Sequence, residues 1–164
     1  MPPRHNRIQL NPLGLLSGTV GGNYEFRFDR HHALAIEGFY TIPLFGSKGN
    51  GLGGIYRYYY KQNTFLGIFF RSGFLSSKLT SPVRGDTTTY TLDLSYTTIG
   101  PNWGKAWYFK KRFLICYRIG IGYPIKQELA WKNDLAYPES PKLIETLYGI
   151  SACMDSELTI GISF

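Results

Sequence analysis

Along most of this chain apolar and polar positions alternate with a period of two, which stands one kind of residue on one face of a strand and the other kind on the opposite face. From Phe113 to Tyr123, the residues Phe113, Ile115, Tyr117, Ile119, Ile121 and Tyr123 share a face, while Leu114, Cys116, Arg118, Gly120 and Gly122 share the other. The closing run repeats the pattern, with Leu158, Ile160, Ile162 and Phe164 set against Thr159, Gly161 and Ser163. Four further segments alternate in the same way. Tyr24, Phe26 and Phe28 oppose Glu25, Arg27 and Asp29, and Leu34, Ile36, Tyr40 and Ile42 oppose Ala33, Ala35, Glu37 and Phe39. Leu52, Tyr56, Tyr58 and Tyr60 oppose Gly53, Ile55, Arg57 and Tyr59, and Leu66, Ile68 and Phe70 oppose Phe65, Gly67, Phe69 and Arg71. Each is predicted to be a strand.

Two stretches are less regular. Ile8 to Leu16 is apolar enough for a first strand, and Pro12, which cannot donate to a ladder, predicts a bulge or a strand start there. Tyr90 to Phe109 reads as one long strand, but Tyr90, Leu92, Leu94 and Tyr96 share a parity opposite to that of Ile99, Trp103 and Trp107. A bulge near Thr97 to Gly100 would bring all of them to one face. The count is eight strands in a single domain, residues 8–164, behind a basic tail at residues 1–7. The connections after strands two, four and six are short (DRHH, KQN and KKR), and the one after strand three is intermediate. Those after strands five and seven are long: polar Ser76 to Thr89, and Pro124 to about Asp155, with a short helix expected near Lys142 to Tyr148. Alternating short and long connections segregate to opposite ends. The predicted fold is all-β, an eight-stranded antiparallel up-and-down transmembrane barrel with both termini at the short-turn end and long outer loops at about 76–89 and 125–155.

Eight-stranded barrels also occur in water with apolar lumens, so the position of the charges decides which side faces out. Glu25, Arg27, Glu37, Arg57, Arg71, Asp93 and Arg118 share their faces mainly with Gly, Ala, Ser and Thr, which suits a confined interior. Three acids and four arginines there are expected to form a luminal charge network of paired guanidinium and carboxylate groups. The opposite faces collect Leu, Ile, Phe and Tyr, a surface that in water would be one large aggregating patch. Tyr56, Tyr58, Tyr60, Trp103, Trp107 and Phe109 gather toward the short turns, and Tyr24, Tyr40 and Tyr123 toward the other end. Two such groups match the aromatic girdles of a membrane barrel.

Composition agrees. Aromatic residues make up 16% of the 164, with 13 Tyr, 11 Phe and 19 Gly, which favours strands and tight turns. No apolar run reaches the roughly 18 residues of a membrane helix, and an open sheet would leave unpaired backbone groups in hydrocarbon, so a bilayer is crossed only as a closed barrel. The net charge of +7 brings no Lys/Arg block interleaved with stacking aromatics, so no nucleic-acid partner is expected. Cys116 and Cys153 fall about 25 Å apart in this register, beyond disulfide reach, and are expected to be free thiols. MPPRHNRIQL lacks the apolar core of a signal peptide, so an outer-membrane reading expects a processed, mature chain or an added Met1; a cytosolic protein with its natural start is the alternative.

The NPLGLL opening followed by a YEF strand, the long strand with TIGPNWGKAWYFKKRF, and the terminal GISF resemble small eight-stranded bacterial outer-membrane barrels, most of all the OmpA/OmpX-like families common in Bacteroidetes. The resemblance implies a bacterial outer-membrane location with termini in the periplasm. It also implies that Leu158, Ile160, Ile162 and Phe164 form a C-terminal insertion signal read by the barrel assembly machinery. Lipid A acyltransferases and deacylases use His and Ser at the outer rim of such barrels. Here His5 lies in the tail, and His31 and His32 in a short turn at the other end, so no enzyme is expected. The two adjacent histidines have no companion ligands beyond Asp29, and GSKGNGLGG lacks the P-loop pattern, so no metal or cofactor is expected. Function is therefore expected in the outer loops, with Trp131, Tyr137 and Tyr148 as contacts for a protein partner, or else in folding the loop over the barrel mouth. The lipid face is a second place for a partner, and passage or binding of a small ligand through the charged lumen is the other reading.

Overall fold

The structure, a computed structural model, describes residues 6–16, 18–43, 46–83, 86–109, 112–132 and 141–164. Its strands are β1 (Asn6–Leu10), β2 (Thr19–Arg27), β3 (His32–Thr41), β4 (Ser47–Lys61), β5 (Thr64–Val83), β6 (Asp86–Phe109), β7 (Phe113–Ile121), β8 (Tyr123–Lys132) and β9 (Met154–Ser163). Two helices, α1 (Pro12–Leu16) and α2 (Pro141–Cys153), complete it. Each of β1 to β6 pairs antiparallel with the next, β7 pairs with β9, and β9 returns to β1. The result is a closed eight-stranded barrel. β8 continues the line of β7 along β6: Gly120 lies opposite Asn102, and Tyr123 opposite Ile99.

Inside and outside follow the alternation. Ile8, Tyr24, Phe26, Leu34, Ile36, Leu52, Leu66, Ile68, Phe70, Trp103, Ile119, Ile160 and Ile162 are exposed on the outer surface, whereas Glu25, Arg57, Phe65, Phe69, Leu114 and Arg118 are buried. The apolar groups inside form two small clusters, one around Tyr59, Phe65 and Leu114 and the other of Ala35, Ile55 and Phe69.

Several expectations are corrected. The first strand ends at Leu10, because Asn11 and Pro12 start a helix instead of a bulge. Asn11 Oδ1 accepts the Gly14 N–H at 3.0 Å as a cap, and Pro12 occupies the first helical position, where its missing N–H costs nothing. Gly18, at φ 74°, then turns the chain into β2. Asn6 and Arg7 belong to β1 and not to a tail; Arg7 is 1% exposed. The expected loop at 76–89 is a hairpin extension, with β5 and β6 paired from Thr64 opposite Lys105 to Val83 opposite Asp86. That pairing runs without a bulge; the irregularity lies in the β6–β8 ladder at Thr97 and Thr98. Tyr90, Leu92 and Leu94 therefore face inward. The expected loop at 125–155 holds β8, α2 and the start of β9.

β5, β6 and β8 thus rise together beyond the closed barrel as a three-stranded sheet. Helix α2 runs back along its inner face: Trp131 Nε1–H donates to Glu145 Oε1 at 2.7 Å, and Gly122 N–H donates to Cys153 O at 2.6 Å. In register, Leu92 stands opposite Trp131 and Leu94 opposite Leu129, so the face under the helix is the one that buries both leucines.

Candidate functional site: the charged lumen and its outer mouth

The lumen holds two ion-paired clusters, each assembled across a strand that supplies a small residue. In the cluster nearer the short turns, Glu25 on β2 lies opposite Arg7 on β1 and Ala35 on β3. Ala33 and Ala35 leave the space through which Arg57 and Tyr59, on β4, reach it. Glu25 pairs with Arg57, with Arg7 at 3.0 Å and with Arg27 at 3.2 Å, and accepts the Tyr59 hydroxyl at 3.0 Å. Arg7 donates to the same hydroxyl at 2.8 Å, and the Arg27 guanidinium stacks 3.6 Å above the Tyr59 ring.

The second cluster lies toward the outer mouth. Gly53 on β4 is opposite both Glu37 on β3 and Arg71 on β5, and a Cβ there would stand 2.8 Å from Glu37 Oε1. The missing side chain lets Arg71 reach Glu37 at 2.7 Å across β4. Gly120 on β7 plays the same part between Asn102 on β6 and Asp155 on β9, which meet at 3.1 Å. Arg118 binds Glu37 at 2.7 Å, Asp155 at 2.8 Å and Glu157 at 3.0 Å, and Arg71 also binds Asp155 at 2.8 Å. Three arginines surround one carboxylate in the first cluster; two face three carboxylates in the second. Charge along the lumen is therefore polarised, positive toward the short turns and negative toward the mouth. Above the second cluster opens a cavity of about 210 Å³, lined by Asn11, Thr19, Glu37, Arg71, Tyr96 and Glu157 among others.

Of the seven expected network residues, Glu25, Arg27, Glu37, Arg57, Arg71 and Arg118 lie in these clusters, and Asp93 does not. Because β6 keeps one register throughout, Asp93 shares the outer face with Ser76 and Ala130 and pairs with Lys132. Burial pushes its carboxyl up, but hydrogen bonds from Lys132 and Ser76 outweigh that and hold it below the usual carboxylate range. Arg7, Tyr59, Asn102, Asp155 and Glu157 complete the network and were not expected in it. The acids had a signal: Glu157 and Asp155 continue the hidden parity of Thr159, Gly161 and Ser163 by two and four residues.

Among the aromatics, Tyr40, Tyr56, Tyr58, Tyr60, Trp103, Trp107, Phe109 and Tyr123 are exposed on the outer surface. Trp103 Nε1–H donates to Tyr60 Oη at 3.1 Å. Tyr24, expected near the far rim, donates to Asn6 Oδ1 at 2.9 Å at the termini end, because it lies only four residues before the Phe28 turn. In the closing strand Ile160, Ile162 and Phe164 point outward, while Leu158 is half-buried. Trp131 and Tyr148 are half-buried, and Trp131 is engaged with α2; Tyr137 lies outside the described residues. His31 and His32 stack on Tyr58 and Tyr56, and Asp29 Oδ1 caps their turn by accepting both backbone N–H groups at 2.6 and 2.8 Å. Those two bonds hold the Asp29 carboxyl below its ordinary value. Cys116, buried in the lumen, and Cys153, at the end of α2, are free. Among the described residues no group of three His, Cys, Asp or Glu is placed to hold a metal.

No family model matches the chain, and a comparison with curated proteins finds no match. Among solved structures it is similar to CarO of Acinetobacter baumannii, with a TM-score of 0.49 and 12% identity over 99% of this chain and 97% of that one. It is also similar to the N-terminal β-barrel domain of OprF from Pseudomonas aeruginosa, with a TM-score of 0.41 and 12% identity over the whole of both chains. The assignment that stands on the chain's own strand pairing is a closed, eight-stranded antiparallel β-barrel, apolar outside and ion-paired within.

Proposed function

We propose that this chain is a non-enzymatic integral barrel of the bacterial outer membrane, of the Bacteroidetes OmpA/OmpX-like type, with its termini in the periplasm. Its working part is the outer extension of β5, β6, β8 and α2, which serves as an envelope-stabilising or partner-binding element, alone or within a larger membrane complex. The observation that carries this is the inversion of polarity: buried arginines and carboxylates inside a closed barrel, and a continuous apolar belt outside. In water, apolar residues in that interior would be at least as stabilising as the ion pairs, whereas a lipid surround places the apolar groups on the belt. Insertion would run through the barrel assembly machinery, with Leu158, Ile160, Ile162 and Phe164 as its signal. Refolded into detergent, the protein is expected to migrate differently on SDS gels before and after boiling. A compact monomer without detergent would sink the membrane reading. Detergent extraction from native membranes with mass spectrometry of co-purifying proteins tests the extension as a docking element; recovery of the barrel alone argues against a stable partner.

The cavity at the mouth favours a second reading, binding or passage of a small polar ligand. It leads onto Glu37, Arg71 and Glu157, and deeper in the lumen Gln9 Nε2, Asn23 and Arg118 Nε have no protein hydrogen-bond partner, a polar lining suited to water. Conductance in planar bilayers that changes on Arg57→Ala or Arg118→Ala is the outcome it requires; a silent bilayer removes it.

A further inference from the structure

We propose that the short-turn end of the barrel is a docking surface for anionic phospholipid, with Arg30, Lys61, Lys105 and Arg112 binding the headgroup phosphates of that leaflet. This rests on the membrane reading above and names the lipid class that reading leaves open. Among the described residues at this end, three exposed cations stand at the turns: Arg30 between β2 and β3, Lys61 at the end of β4, and Arg112 between β6 and β7. Lys105 projects outward from β6 itself, opposite Thr64 and Tyr117, and its Nζ lies 5.5 Å from the Trp107 ring centroid. None of the four makes an ion pair with a described residue. The one acidic side chain in the described part of these turns, Asp29, is occupied by two backbone N–H groups.

At the opposite end Lys132 is paired to Asp93 and Lys126 to Glu128, and Lys48, Lys78 and Lys142 make no ion pair with a described residue but stand apart from the aromatic belt edge that surrounds Lys105. The position of the four short-turn cations selects a lipid over a soluble polyanion. Lys105 stands among Trp103, Trp107 and Tyr60, the aromatics at the edge of the apolar belt, where a long side chain lays its stem on the ring and carries its ammonium to the headgroups. Basic groups so placed attract anionic lipid within a Debye length of the surface.

The test is electron spin resonance of the refolded full chain in phosphatidylcholine vesicles containing a trace of spin-labelled phosphatidylglycerol or spin-labelled phosphatidylcholine. The expected result is a motionally restricted lipid component with at least about twofold preference for phosphatidylglycerol at low salt, abolished by 1 M salt. The preference should fall in the combined Arg30→Ala, Lys61→Ala, Lys105→Ala, Arg112→Ala variant and persist in Lys48→Ala, Lys142→Ala at the far end. A restricted component without preference, or a preference indifferent to salt or to the four substitutions, overturns the inference while leaving the barrel in its membrane. No restricted component with either label overturns the membrane reading itself.

Discussion

Glu25 is the residue on which most of the inner packing converges. It is fully buried and pairs with Arg7, Arg27 and Arg57 together. Removing one partner of a buried ion pair leaves the others charged and uncompensated, so Glu25→Ala is expected to lower stability by about 3–5 kcal/mol in urea titrations of the barrel in lipid vesicles. An equal loss from Tyr24→Ala, on the outer face, would contradict the special position of the carboxylate. Gly53 makes the same point by absence. Any side chain there meets Glu37 Oε1 and Phe70 O, each 2.8 Å from its Cβ, so Gly53→Val is expected to break the Glu37–Arg71 pair. In a double-mutant cycle with Arg71→Ala, the two losses should be clearly less than additive. Charges on the hidden faces can be read from alternation alone. Which of them meet cannot, because the contacts cross Ala33, Ala35, Gly53 and Gly120 on intervening strands, and strand order and register are needed before those gaps become visible.

Among the elements, β6 departs furthest from its sequence pattern. Its outer half carries Tyr90, Leu92 and Leu94 on the parity that faces the lumen below, and no bulge intervenes. Apolar residues are inward there because α2 covers them, and α2 lies some fifty residues later in the chain. Trp131→Phe keeps the ring and removes the bond to Glu145, so it is expected to cost about 1 kcal/mol and to appear as faster amide exchange in α2 while the barrel strands remain protected. The Asp93–Lys132 pair ties β6 to β8 on the other face. With the folded carboxyl below its ordinary pKa, the contribution is complete at neutral pH and is lost as pH falls through the folded value, below about pH 4. Lys132 is largely exposed, so the loss should stay within about 1 kcal/mol, measurable as exchange in β8 at pH 3 against pH 6 and absent in Asp93→Asn. Loosening of β8 that begins near pH 6 would rule out Asp93 as its cause.

For the whole molecule, closure depends on the seam between the first and last strands, which is short: among the described residues Arg7 to Leu10 pair with Ile160 to Ser163. Phe164 backs it with reciprocal bonds to Asn6, at 3.1 and 3.2 Å. Deleting Phe164 is expected to slow folding into vesicles, followed by the gel shift, more than it lowers final stability. An unchanged rate would remove this residue from the closing step. The sequence alone determined the number of barrel strands, their short turns and which face of most strands is greasy, because alternation is a property of neighbours in the chain and a barrel in lipid has only two kinds of face. Tertiary structure alone decided that Arg7 lies in a strand, that Asp93 sits outside the lumen, that residues expected in loops form a tall sheet backed by a helix, and that the luminal charges gather into two clusters. Those outcomes depend on which strand lies beside which and at what register, and pairings between residues as distant as Glu37 and Arg118 leave no periodic trace in the chain.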